Sequence, residues 1–548
     1  MKKKIISTAA ICFMAMGLFL CAFTQPAKET VLMTMAAIHG HPIVDDLEGA
    51  KALEKEVQKE IEEHSLKTDW SYYVREETKS VEIRGYHGDE VDVVVPDRID
   101  GMPVTKITCG TFCDDCENVI SIFIPESIVW IGSDEFLGSY KLTNIQVSSD
   151  NPVYASEGGI LYNKEKTELI YCPRGKQGEI TDLPESIESI HDYAFQYCNL
   201  TEIDLPENIK IIGENAFEGC TYLKRIKIPE SVCSIEKETF AWCCSLESIN
   251  IPQSVGRIGE SAFSWCESLA DIELSEGLKS IEGSAFAGCG MSEIKLPGSL
   301  EHLEEWAFGR CPNLADIQIS PDHSVYESQD GIFFNKGKNQ LVVYPSGRRD
   351  EIVELPEGLE SIGPSAFSGS EKIRYVKLPE GLSSIGSDAF FACENLEEIE
   401  FPREVKKIED CAFLGCVSLT DVILPEGLEI LSRETFAGCK KLVSVEIPEG
   451  VNCIGENVFS LCEKLSKVKL PESLKRIEAD AFSYCTGLER IEISQEIEYI
   501  GEYAFRNCDN LKDVYYPKDK NSWDKNSIED HGNEDLNNAY IHFNETMP

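Results

Sequence analysis

Ile212-Gly-Glu-Asn-Ala-Phe217-Glu-Gly-Cys220-Thr-Tyr-Leu223-Lys-Arg-Ile226-Lys-Ile228-Pro229 is one unit of a pattern that runs through most of this chain. Its phenylalanine recurs fifteen times: Phe112, Phe136, Phe195, Phe217, Phe240, Phe263, Phe286, Phe308, Phe367, Phe390, Phe413, Phe436, Phe459, Phe482 and Phe505. Nine of the fourteen gaps are 23 residues, three are 22 or 24, and two are 59. A repeat in the twenties is too short to bury an apolar face alone, so the units must stack into a solenoid.

Working outward from Phe, a second column lies five residues earlier, from Ile107 and Ile131 to Ile477 and Ile500, and only Ile or Leu enters it. Three residues after Phe stands a cysteine in most units, including Cys220, Cys243, Cys266, Cys393, Cys416 and Cys439; Ser139 and Ser370 replace it in two. Phe, Ile and Cys at fixed offsets are expected to form buried ladders. The thiols are expected to stay reduced, each acting as a small apolar group with a weak S–H donor. A serine placed in that slot is expected to be costly, because a hydroxyl would enter an apolar site. The segment Leu223 to Pro229 alternates apolar and charged residues and then stops at proline, the pattern of a short strand buried on one face.

These units resemble a leucine-rich repeat, and units such as Ile212 to Leu223 and Leu424-Pro-Glu-Gly-Leu428 resemble its BspA-like, or Treponema-type, subfamily. The resemblance covers roughly residues 70 to 548. It implies a right-handed stack with a parallel β-sheet, short helical turns on the opposite side and capped ends. It further implies a secreted or surface protein, often from anaerobic bacteria, that binds matrix or other proteins, and it supplies no catalytic residue.

Both 59-residue gaps equal one 23-residue coil plus 36 residues, and they lie 172 residues apart. Tyr154, Gly159, Asn163, Leu169 and Pro173 recur as Tyr326, Gly331, Asn335, Leu341 and Pro345. Each insert, about 151–175 and 321–347, reads as a β-hairpin added to one coil. Tyr154, Tyr162, Tyr326 and Phe334 then either glue the hairpin to its coil or meet a ligand. A second candidate surface is the outward strand face, where Tyr375, Ile423 and Tyr515 interrupt a column of alternating charges.

The ends read differently. Met1-Lys2-Lys3-Lys4 and the apolar run to Phe23 form an export signal, 1–24. Residues 25–66 are a linker with an acidic amphipathic helix, 67–106 an N-terminal capping module, 107–516 the solenoid and 517–548 a C-terminal cap. His542 belongs to that cap. No segment beyond the signal is apolar enough to span a membrane.

With 51 basic and 96 acidic side chains the formal charge is −45, which excludes partners gripped through phosphate, such as nucleic acid. Cys109-x₃-Cys113-x₂-Cys116 has no matching ligand pair, so no metal and no cofactor is expected. Neither flank is long enough for a catalytic domain, and no nucleophile elbow, P-loop or zincin motif occurs. The expectation is a non-enzymatic scaffold, secreted or on the cell surface, that binds host, matrix or neighbouring-cell proteins. The alternative is a structural or self-assembling envelope component without a dedicated ligand.

Overall fold

A computed structural model describes residues 69–108, 110–112, 116–132, 135–524, 527–529 and 531–547. The export signal, the amphipathic helix, Cys109 and Cys113 lie outside these residues. The chain divides into two compact units, Met1–Ser231 and Val232–Pro548.

In both units every coil lays down two short parallel strands rather than one. Ser189–Ile190 pairs in register with Ile211–Ile212, while Ile203 aligns with Ile226 in a separate ladder. In the second unit Ser384–Ile385 pairs with Lys407–Ile408, and Tyr375–Lys377 with Glu398–Glu400. The Ile column is therefore itself a β-ladder. A strand of two residues has no room to show alternation, which hid it from the sequence pattern.

The side opposite the long strands is not helical. Two residues before and after Phe217 the backbone is left-handed, with φ of 56° at Asn215 and 68° at Gly219. The same pair recurs at Ser261 and Trp265, at 55° and 61°, and at Asp480 and Tyr484, at 55° and 60°. A right-handed helix cannot contain such residues, so these coils cross this side as a chain of turns. Among the described residues α-helix occurs only at Lys520–Trp523 and Glu534–Asn538, both in the C-terminal segment.

The left-handed residues turn Phe inward, and the rings stack face to face. Phe195 and Phe217 lie 4.9 Å apart at 4° in the first unit; Phe390 and Phe413 lie 5.0 Å apart at 6° in the second. Truncating one such ring costs about 3–5 kcal/mol.

The cysteine column is buried, and its members are thiols. It also does more than fill space. Cys220 Sγ donates to Phe195 O at 3.1 Å, and Cys289, Cys416 and Cys485 donate likewise to Phe263, Phe390 and Phe459, at 3.1–3.2 Å. Each acceptor belongs to the Phe of the preceding coil. The slot thus holds a carbonyl, and Ser139 uses it too, donating to Phe112 O at 3.0 Å. This corrects the expectation that a hydroxyl there meets only apolar surface.

Among the described residues the first unit starts with a hairpin, Trp70–Arg75 against Ser80–Tyr86. Ser80–Tyr86 then pairs parallel with Met102–Ile107, which places Ile83 in the Ile column one coil before the first repeat. At the far end of the second unit Tyr540–Phe543 adds to Asp513–Tyr516, and Asn533 Oδ1 accepts from Phe505 N at 3.0 Å. His542 stacks on Tyr515 at 4.4 Å and bonds Asp513 Oδ1 at 2.8 Å, a closing role.

Candidate interaction surfaces

Each insert is a three-stranded antiparallel meander whose last strand joins the solenoid. In the first unit Tyr154–Glu157 pairs with Ile160–Asn163, which pairs with Glu168–Tyr171. Glu168–Tyr171 then runs parallel to Ser189–Ile190, so Leu169 takes a place in the Ile column. In the second unit Tyr326–Gln329, Ile332–Asn335 and Gln340–Val343 repeat this, with Leu341 opposite Ile362. The extra 36 residues are therefore a whole coil with a hairpin at its start.

That topology settles the surroundings of four candidates. Tyr154, Tyr162, Tyr326 and Phe334 are buried, at 7%, 1%, 9% and 1% exposure. Tyr154 Oη accepts from Ile131 N at 2.9 Å and Tyr326 Oη from Leu303 N at 3.2 Å. They hold the hairpin to the coil below and offer no surface. Tyr515 is buried as well, because the closing strand lays His542 over its ring.

Tyr375 and Ile423 remain on the outward face of the long strands. Ile423 is 82% exposed and Tyr375 is half-buried. Tyr375 occupies the first residue of its strand and Ile423 the third, so they lie in different columns of the sheet. Directly beside Tyr375 the register places Ile352, which is 64% exposed. The sequence reading missed Ile352 because it follows the insert, where the repeat count restarts. Around these residues the charges are occupied with one another: Lys469 pairs with Glu446, and Arg374 forks onto Glu397 at 2.9 Å.

A second exposed patch lies on the turn side of the second unit. Trp242 and Trp265 stack at 5.2 Å and 11°, and the Arg310 guanidinium lies over Trp265 at 5.5 Å. Both tryptophans sit two residues after the ladder Phe, a position that elsewhere holds Gly, Tyr, Leu, Arg, Ala, Asn or Asp. Its variability kept it out of the sequence pattern. In the first unit Tyr197 takes this place, and a Cβ at Gly219 in the next coil would overlap its ring, so only glycine fits beneath.

Burial pushes the column thiols up, to about 12 for Cys311 and Cys393, which keeps them protonated and poorly nucleophilic. Among the described residues no group of three His, Cys, Asp or Glu side chains could hold a metal, and no helix is long and apolar enough to cross a membrane.

A family model described as a BspA type leucine rich repeat region (6 copies) matches residues 101–182, 175–266, 233–349, 349–433 and 406–534. No curated protein is a significant match. Among solved structures, a leucine rich cell surface protein from Faecalibacterium prausnitzii is 24% identical, over 84% of this chain and 96% of that one, with a TM-score of 0.44. The pneumococcal vaccine antigen PcpA is 21% identical over 84% and 97%, with a TM-score of 0.45. A leucine-rich repeat protein from Eubacterium ventriosum is 18% identical over 65% and 94%, with a TM-score of 0.47.

Proposed function

Because the chain belongs to the BspA-type leucine-rich repeat family, we propose that it is a non-enzymatic scaffold that binds proteins through the surface of its stacked coils. On this reading it works outside the cell, secreted or surface-attached, as the N-terminal signal implies, and its partners are matrix, host or neighbouring-cell proteins. The observation that carries the reading is the pair Ile352 and Tyr375. It leaves apolar and aromatic area on a rigid sheet whose charged neighbours pair among themselves. Aromatic anchors on pre-organised surfaces are where binding energy concentrates. The twin tryptophans on the turn side offer a second anchor of the same kind.

The test is biolayer interferometry of the purified chain against a panel of matrix proteins and glycans. Ile352→Ser with Tyr375→Ser should weaken a partner's binding at least about tenfold, the loss of a typical hot spot, with the melting temperature nearly unchanged. Unchanged binding in that variant removes the sheet face from the proposal. Concentration-dependent assembly with no bound partner in the panel would instead favour a structural envelope component.

A further inference from the structure

The two inserts share a frame. Pro173-Arg174-Gly175 of the first corresponds to Pro345-Ser346-Gly347 of the second, 172 residues on. The correspondence holds in space: Gly175 N donates to Leu142 O at 2.7 Å, and Gly347 N to Leu314 O at 2.8 Å. What differs is the residue between. Arg174 is 5% exposed, and its guanidinium ties the insert coil to both neighbours. It bonds Leu137 O on one side, and Gln196 O (3.1 Å) and Gln196 Oε1 (2.9 Å) on the other. Tyr197 covers it at 4.8 Å.

In the second insert Ser346 turns its hydroxyl to Cys311 O at 2.8 Å and spans nothing. The residues that correspond to Leu137 and Gln196 are Gly309 and Ser368, and both line a cleft of about 550 Å³. Ring stacking changes with it. Tyr171 stacks back on Phe136 at 5.1 Å in the first insert, whereas Tyr344 stacks forward on Phe367 at 4.8 Å. Phe308 and Tyr344 both line the cleft.

The chemistry of the cleft is that of a cation site. Trp306, Phe308, Tyr326 and Tyr344 supply aromatic walls, Glu304 and Glu305 supply carboxylates, and no Lys or Arg is among the lining residues. Ser365 and Ser368, 7% and 4% exposed, line it with hydroxyls that have no hydrogen-bond partner. Burial, then the nearby Glu409 and Glu304, pushes the Glu305 carboxyl up. Two cations stand nearby. Arg310 lies over Trp265, and Arg348 bonds Asp350 at 2.7 Å and Asp330 O at 2.6 Å while its guanidinium also lies over the Tyr344 ring at 5.5 Å. A planar guanidinium suits such a place better than an ammonium, since it stacks on rings and donates to several oxygens at once.

We propose that the cleft lined by Phe308 and Tyr344 receives an arginine side chain from a partner polypeptide, in the place that Arg174 fills from within the chain at the first insert. The source of the arginine rests on the reading of the chain as a protein-binding scaffold; the guanidinium chemistry does not.

Isothermal titration of the full chain with N-acetyl-arginine amide, N-acetyl-lysine amide and a short arginine-bearing peptide tests this. The arginine amide should bind saturably at about 1 mM, the scale of one seated side chain, and the lysine amide at least about tenfold more weakly. Ser346→Arg rebuilds the internal bridge and should abolish binding while raising the melting temperature. Glu305→Gln should weaken binding severalfold and serves if Ser346→Arg misfolds. No saturable arginine binding, or undiminished binding by a folded Ser346→Arg protein, overturns the proposal. Arginine-amide binding together with an empty matrix panel would retain the cleft and discard the scaffold reading.

Discussion

The inserts at 151–175 and 321–347 descend from one pattern, yet the first is sealed and the second is open. In the first, Asn151 uses every polar atom. Its Nδ2 donates to Pro125 O and Ile128 O at 2.8 and 2.9 Å, and its Oδ1 accepts from Val153 N and Tyr154 N. His323 takes the same place in the second. Its Nδ1 accepts from Val325 N and Tyr326 N at 3.1 and 3.0 Å, while its buried Nε2 has no partner. With His323, Ser365, Ser368 and Ser370, this region holds four of the six unpartnered buried side-chain atoms found among the described residues. A buried polar atom without a partner costs about 1–3 kcal/mol. Such orphans scattered at random would indicate loose packing; gathered at one insert, with Ser365 and Ser368 in the cleft itself, they indicate a place where stability yields to binding.

The largest expected effect tests the thiol ladder that both inserts interrupt. Burial raises these thiols above their ordinary value, to about 12 for Cys393 and Cys508. A raised thiol stabilises the fold fully below the ordinary value and loses that contribution as pH climbs toward the raised one. Each thiol therefore removes about 1.4 kcal/mol per pH unit above roughly 8.5. Six column thiols, Cys393 to Cys508, follow the second insert without a break, and six more, Cys198 to Cys311, lie between the two inserts. Pulsed alkylation with mass spectrometry should find Cys393 to Cys508 reactive together near pH 10. Reaction of these six one at a time would mean that the ladder beyond the second insert does not open as a unit.

Next in size is Arg174→Ser, which gives the first insert the second insert's residue. Losing a buried guanidinium takes a charge-assisted donor from Leu137 O, Gln196 O and Gln196 Oε1, at about 1.5–3 kcal/mol for such a bond. Thermal unfolding should show that loss, and the variant should acquire arginine-amide affinity if the two frames are equivalent. A loss below about 1 kcal/mol would mean that Arg174 is incidental to sealing the insert.

Much of this architecture was legible because Phe, Ile and Cys each answer one geometric demand in every coil. The Phe ladder and the long strands needed only spacing and alternation. The Ile-column strands were not legible, since two residues carry no period. Nor were the left-handed turns, because Asn215, Ser261 and Asp480 hold that conformation without glycine. At the candidate sites, alignment of the inserts drew attention to residues that recur, Tyr154 with Tyr326 and Leu169 with Leu341, and these proved to be core. What distinguishes the inserts is where they differ, Arg174 against Ser346 and Asn151 against His323. Ile352 escaped for a related reason, as a strand residue that precedes the resumed Phe count.

The smallest expected effect is also the sharpest contrast. Ser139 and Ser370 both replace a column cysteine, both are buried, and both occur beside an insert. Ser139 belongs to the coil that carries the first insert and still finds Phe112 O at 3.0 Å. Ser370 follows the second insert, where the preceding coil places Tyr344 rather than a ladder Phe, and its hydroxyl has no partner. Removing the first hydroxyl should therefore cost about 1 kcal/mol, the worth of an ordinary buried hydrogen bond. Removing the second should be neutral or slightly stabilising, because Ser370→Ala deletes an unpaired polar atom and little volume. Chemical denaturation of Ser139→Ala and Ser370→Ala, side by side, checks the sign. Equal losses in both would show that the second insert satisfies its polar atoms after all, and the contrast between a sealed and an open insert would then rest on Arg174 alone.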